Sequence, residues 1–91
     1  MIKGKTKTGF EYEIHDNVLD DFEVLELVGA VDENTVALPK LLTALFGEEQ
    51  KKAYTEHMRD SKTKKISTKA ILEDINDLFE SLGEEPETKN S

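Results

Sequence analysis

Cysteine is absent from the 91 residues, which excludes disulfides, thiolate metal sites and a cysteine nucleophile. Histidine occurs only as His15 and His57, and no Ser-His-acid arrangement is legible around either. His15 follows a strand-like segment and reads as a boundary residue, whereas His57 shares a helical stripe with Tyr54 and Met58 and reads as packing. Long apolar runs are missing too. None approaches the roughly 18–20 residues needed to cross a bilayer, and the opening MIKGKTKTG shows no apolar signal-peptide core. An intracellular protein without membrane contact is expected. GxGxxG, the phosphate loop and HExxH do not occur. The densest oxygen clusters, Asp20-Asp21 and Asp32-Glu33-Asn34, lack the alternating spacing of a calcium loop and read as caps or solvated surface. No catalytic residue, metal ligand or cofactor is expected.

Apolar content is low, at 36%, yet Leu, Ile, Val and Phe number 24 of the 91 residues, more than a disordered chain carries. One small folded domain with a charged surface is expected over residues 1–83. The polar EEPETKNS at 84–91 has the composition of a disordered acidic tail. The net charge of −8 is unevenly spread: segments 16–60 and 70–91 are strongly acidic, while Lys62, Lys64, Lys65 and Lys69 make one basic patch. Such a field repels phosphate backbones, and the patch carries no interleaved aromatics, so no nucleic-acid partner is expected.

The expected fold is mostly α, a small four-helix bundle with a short N-terminal strand or hairpin over residues 1–15. Phe10, Tyr12 and Ile14 alternate with Glu11 and Glu13, a period-two pattern turning near Gly9. Capping at Asp16 or Asn17 then opens a helix to about Ala30, with Val18, Leu19, Phe22, Leu25 and Val28 at three- and four-residue spacing. Pro39 and Gly47 bracket a short helix over about 38–46, and a thinner amphipathic stripe runs from Glu48 to about Asp60. After the basic loop, Ser67 or Thr68 caps a last helix. There Ile71, Leu72, Ile75, Leu78, Phe79 and Leu82 alternate with Glu73, Asp74, Asp77 and Glu80.

The segment VALPKLLTALF at 36–46 is apolar around most of its circumference. It is either the centre of the bundle or part of a groove for an apolar helix, and helices at its margins can line a groove while it remains central.

The order of an acidic apolar helix, ALPKLLTALFGEEQ, EHMRD, a basic loop and an amphipathic helix carrying the IxxLF pattern resembles the small tail assembly chaperones of long-tailed bacteriophages. The resemblance spans about residues 16–82 and is most telling at 38–50 and 56–60. It implies a helical, non-enzymatic protein of phage or prophage origin that keeps the apolar tape measure protein soluble while tail tube subunits assemble around it. It places such a protein in the cytoplasm of the infected or lysogenic host and outside the mature virion. Many relatives of this kind are made in two lengths by a programmed frameshift, for which A-rich codons at Lys89-Asn90 would serve. The expected client-binding residues are Leu25, Val28, Leu41, Leu42, Leu45, Phe46, Phe79 and Leu82. Self-association into a homo-oligomer is also open. The competing reading is an acidic helical inhibitor or nucleic-acid mimic acting on a basic host protein through Asp20, Asp21, Glu23, Asp32 and Glu33. A structural subunit of the particle is a third.

Overall fold

The structure is a computed structural model and describes residues 1–83; the tail expected at 84–91 lies outside them. The chain opens with an antiparallel hairpin of β1 (Ile2–Lys5) and β2 (Glu11–Ile14), with Ile2 opposite Ile14 and Lys5 opposite Glu11. Gly9 takes the turn at φ +98°, a conformation that glycine enters without steric cost. Tyr12 and Ile14 are buried while Glu11 and Glu13 face solvent, as the alternation predicts.

Helix α1 (Phe22–Glu33) starts later than the apolar spacing suggests. Val18–Asp20 is a single 3-10 turn, and Asp21 rather than Asp16 or Asn17 is the cap. Its Oδ1 accepts from the backbone N–H groups of Glu23 and Val24 at 2.9 and 3.4 Å. The break rotates Val18 into the core and leaves Leu19 and Phe22 outside. At its far end α1 continues through Asp32 and Glu33, and Asn34 caps the next 3-10 turn (Thr35–Ala37) by accepting from Val36 N–H at 3.0 Å.

Helix α2 (Leu38–His57) carries Pro39 in its first turn, where no intrahelical donor is needed. The chain is non-helical at Gly47, at φ +80° and ψ 168°. The expected helices over 38–46 and from Glu48 onward are therefore the two arms of one kinked helix, and the described residues hold three helices, not four. The first arm supplies Leu38, Leu41, Leu42, Leu45 and Phe46 to the core, and the second supplies Tyr54. Gln50 spans the kink: its amide donates to Phe46 O at 3.0 Å and to Glu13 O at 2.7 Å, and accepts from Glu13 N–H at 2.7 Å.

Helix α3 (Thr68–Gly83) is capped by Ser67, whose Oγ accepts from Ala70 N–H at 3.1 Å. It buries Ile71, Ile75, Leu78 and Leu82 and, unexpectedly, Asp74. The basic loop between α2 and α3 is closed by a bridge between Arg59 and Ile66. Asp60 organises its turn by accepting from Lys62 and Thr63 N–H at 2.7 and 2.9 Å. Among the described residues no helix is long and apolar enough to cross a membrane.

Candidate client-binding surface

The hairpin and the helices meet in an aromatic cluster. Phe10 lies 5.1 Å from Tyr54 and 6.0 Å from Phe46, and Tyr12 lies 6.3 Å from Phe46, measured between ring centroids. Beneath it Asp74 has no solvent exposure. Its carboxylate accepts from Tyr54 Oη–H at 2.8 Å, Thr8 Oγ1–H at 2.8 Å and Thr8 N–H at 3.0 Å. Burial alone would raise the Asp74 carboxyl, but the bonds from Tyr54 and Thr8 outweigh it and hold it below the ordinary aspartate range. Burial, followed by the bond to Asp74, pushes the Tyr54 phenol up. His57 Nε2 sits 3.2 Å from both Thr8 O and Thr8 Oγ1. No buried side-chain nitrogen or oxygen among the described residues is left without a partner. These groups fasten the hairpin turn to α2 and α3.

The other side of the molecule is built differently. Helix α1 fully buries only Val24 and half-buries Leu27, Val28 and Val31. Its outer aspect carries Phe22 at 68% and Leu25 at 63% exposure, with Leu19 at 51% just before it. Beside this ridge runs an open apolar groove. Val28, Gly29 and Val31 form one wall, Leu72, Ile75 and Phe79 of α3 form the other, and Leu38 and Leu41 lie beneath. A second shallow groove, lined by Val36, Leu42, Lys51 and Ile71, continues around the start of α2.

The residues singled out in the sequence fall into two groups. Leu25, Val28 and Phe79 lie on the exposed ridge or the groove walls. Leu41 and Leu42 touch the two grooves only from below, being 3% exposed, and Leu45, Phe46 and Leu82 are core. Those five hold the fold together in this state and offer a client little accessible area. Phe22, Val31 and Leu72 join the apolar surface without having been singled out. The capping pattern Asp21-Phe22-Glu23-Val24 was the signal for Phe22: a cap at Asp21 makes Phe22 the first helical residue and breaks its phase with Val18. The acidic candidates are dispersed. Asp20, Asp21 and Glu23 stand at the head of α1 and Asp32 and Glu33 at its tail, roughly 15 Å apart at 1.5 Å per residue. Asp21 is occupied as a cap and lies 3.6 Å from His15.

No protein-family model, curated protein or solved structure matches this chain.

Proposed function

We propose that this chain is a non-enzymatic binding protein that keeps an apolar helical client in solution, in the manner of the tail assembly chaperones it resembles. The client in that reading is the tape measure protein, with tail tube subunits displacing the chaperone as the tube grows, in the cytoplasm of the phage-infected or lysogenic host. The observation that carries the reading is the surplus apolar surface of α1. Phe22 and Leu25 stay more than half exposed although the core is already filled by residues from β2, α2 and α3. Full burial of each against a client is worth roughly 1.5–3 kcal/mol. The adjoining groove between Val28 and Phe79 adds apolar lining that side chains projecting from a client helix would cover. The net charge of −8 keeps such a surface dissolved.

Co-expression with the tape measure protein encoded near this chain, followed by capture in high salt, tests the reading. A client that is insoluble alone and soluble in a salt-resistant complex supports it, because burial of apolar area is insensitive to ionic screening. A client that stays insoluble, or a complex that dissolves in salt, overturns it in favour of charge-driven recognition. Recovery of the chain as a component of purified virions would point to a structural subunit instead.

A further inference from the structure

The two edges of the hairpin are not equivalent. Thr6 N–H donates to Phe10 O at 2.8 Å, which fixes the phase of the ladder, because directly opposed pairs alternate between bonded and non-bonded in an antiparallel ribbon. Ile2 and Gly4 therefore bond inward to Ile14 and Tyr12, and the backbone groups of Lys3, Lys5, Glu11 and Glu13 point outward. The bonds of Glu13 confirm the phase independently, since its N–H and C=O are both taken by the Gln50 amide at 2.7 Å. Gln50 thus stands where a neighbouring strand would be and covers the β2 edge at Glu13. The β1 edge has no such cover: among the described residues nothing bonds the backbone of Lys3 or Lys5.

We propose that the open edge of β1 is a docking site for an extended acidic segment of a partner protein, which adds a third strand to the hairpin. Each of Lys3 and Lys5 offers one N–H and one C=O to an incoming strand. Their side chains select its charge. Both stand on the solvent face with side chains 73% and 63% exposed, and each has one acid across the ladder, Glu13 at 3.4 Å and Glu11 at 4.0 Å. Carboxylates at alternate positions of the added strand would meet these ammonium groups from the other side. The sheet would then alternate acid, base, acid across its width. Lysines on a short edge strand normally prevent pairing, and here they still reject a basic strand or a second β1, which would set lysine against lysine. They do not reject an acidic one. On the opposite face the Tyr12 ring already covers Gly4, where a Cβ would come 2.5 Å from Tyr12 Oη. The intervening apolar residues of the partner would pack against the half-buried Ile2.

The test uses the whole 91-residue chain, 15N-labelled, titrated to about 1 mM with a blocked hexapeptide of alternating glutamate and valine and with its lysine–valine counterpart, a range that reads binding of about −4 kcal/mol. The expected result is slowed amide exchange and shifted resonances at Lys3 and Lys5, with the glutamate peptide alone. Lys3→Gln combined with Lys5→Gln should weaken binding about three- to tenfold. Lys5→Pro removes an outward donor while sparing the pairing bonds of Gly4 and Thr6, and should abolish the exchange protection. If that variant loses the hairpin, the glutamine pair carries the test. No response at Lys3 and Lys5, equal binding of both peptides, or a response centred on Lys62, Lys64 and Lys65 would each overturn the proposal.

Discussion

The hairpin side of the molecule and the α1 side solve the problem of a small core in opposite ways. On the hairpin side, two strands, the second arm of α2 and the start of α3 are tied by a shared carboxylate, a side-chain amide on the β2 edge and interlocking aromatic rings. On the α1 side a helix of 12 residues rests on one fully buried valine and leaves a phenylalanine and a leucine in water. Local stability follows the density of buried contacts, so α1, with one fully buried side chain, is expected to open before the hairpin side. In the function proposed above, the two would divide the work: a part that stays folded on release and a part whose apolar area is not already committed.

The sharpest way to break this contrast is to place the same charge in the core and on the α1 ridge. Leu45→Asp puts a carboxylate at a site only 3% exposed, among apolar neighbours. An unpaired buried charge costs several kcal/mol, comparable with the whole stability of a domain this size. The variant is expected to be unfolded by circular dichroism at 25 °C. A cooperative melt close to that of the parent would show that the first arm of α2 is not core.

Next in size is Asp74→Ala. It strands the Tyr54 hydroxyl in a buried site and takes the acceptor from the part-buried Thr8 hydroxyl and N–H, a loss of about 2–4 kcal/mol by urea denaturation. The same residue sets a pH dependence. Its carboxyl is held below the ordinary aspartate range in the folded chain, so the folded state favours the ionised form. The stabilisation is fully present above the unfolded value of about 4 and is lost as pH falls through the lower folded value. The parent's stability should therefore fall more steeply than that of Asp74→Ala below about pH 4. Parallel curves would mean that the carboxylate contributes nothing specific.

Much of this scaffold was legible in the sequence. The alternation from Phe10 to Ile14, Pro39 at a helix start and the 3.6-residue pattern of α3 all report local physics, and each element stands where they put it. Asp74 was not legible as a core residue because composition assigns aspartate to the solvent face. Its position could have been read, since Asp74 lies three residues after Ile71 and four before Leu78, on the apolar stripe. What no pattern discloses is that Thr8, 66 residues away, brings the donors that make burial tolerable. The start of α1 was misplaced for the same kind of reason: Val18, Leu19 and Phe22 satisfy a helical period, but the cap at Asp21 interrupts it. The candidate surface was half legible, because a helix apolar on all sides is buried first, and the residues left over for a client lie at its margins.

Gly47→Ala probes the joint between the two arms of α2. Nothing lies within 4 Å of a Cβ added there, so the cost is conformational alone. The positive φ is accessible to glycine and disfavoured for alanine by about 1–3 kcal/mol. The expected loss lies in that range. A gain in stability would mean that alanine lets the helix run straight, and the Glu13–Gln50 contacts would then be lost from the amide spectrum.

The smallest effect on stability should accompany the largest effect on binding. Phe22→Asp and Leu25→Asp change exposed positions, where substitutions usually shift stability within about 0.5 kcal/mol, and both melts should overlay the parent. Phe22 opens the helix, so an added carboxylate there also meets the favourable end of the helix dipole. On the proposed function, removing either side chain from the client interface should cost about 1.5–3 kcal/mol, or roughly ten- to a hundredfold in affinity, read from the fraction of tape measure protein kept soluble on co-expression. If both variants hold the client as well as the parent does, the ridge of α1 is not the contact, and the groove between Val28 and Phe79 must act without it. If both lose the client while melting normally, α1 is the arm and the hairpin side the anchor.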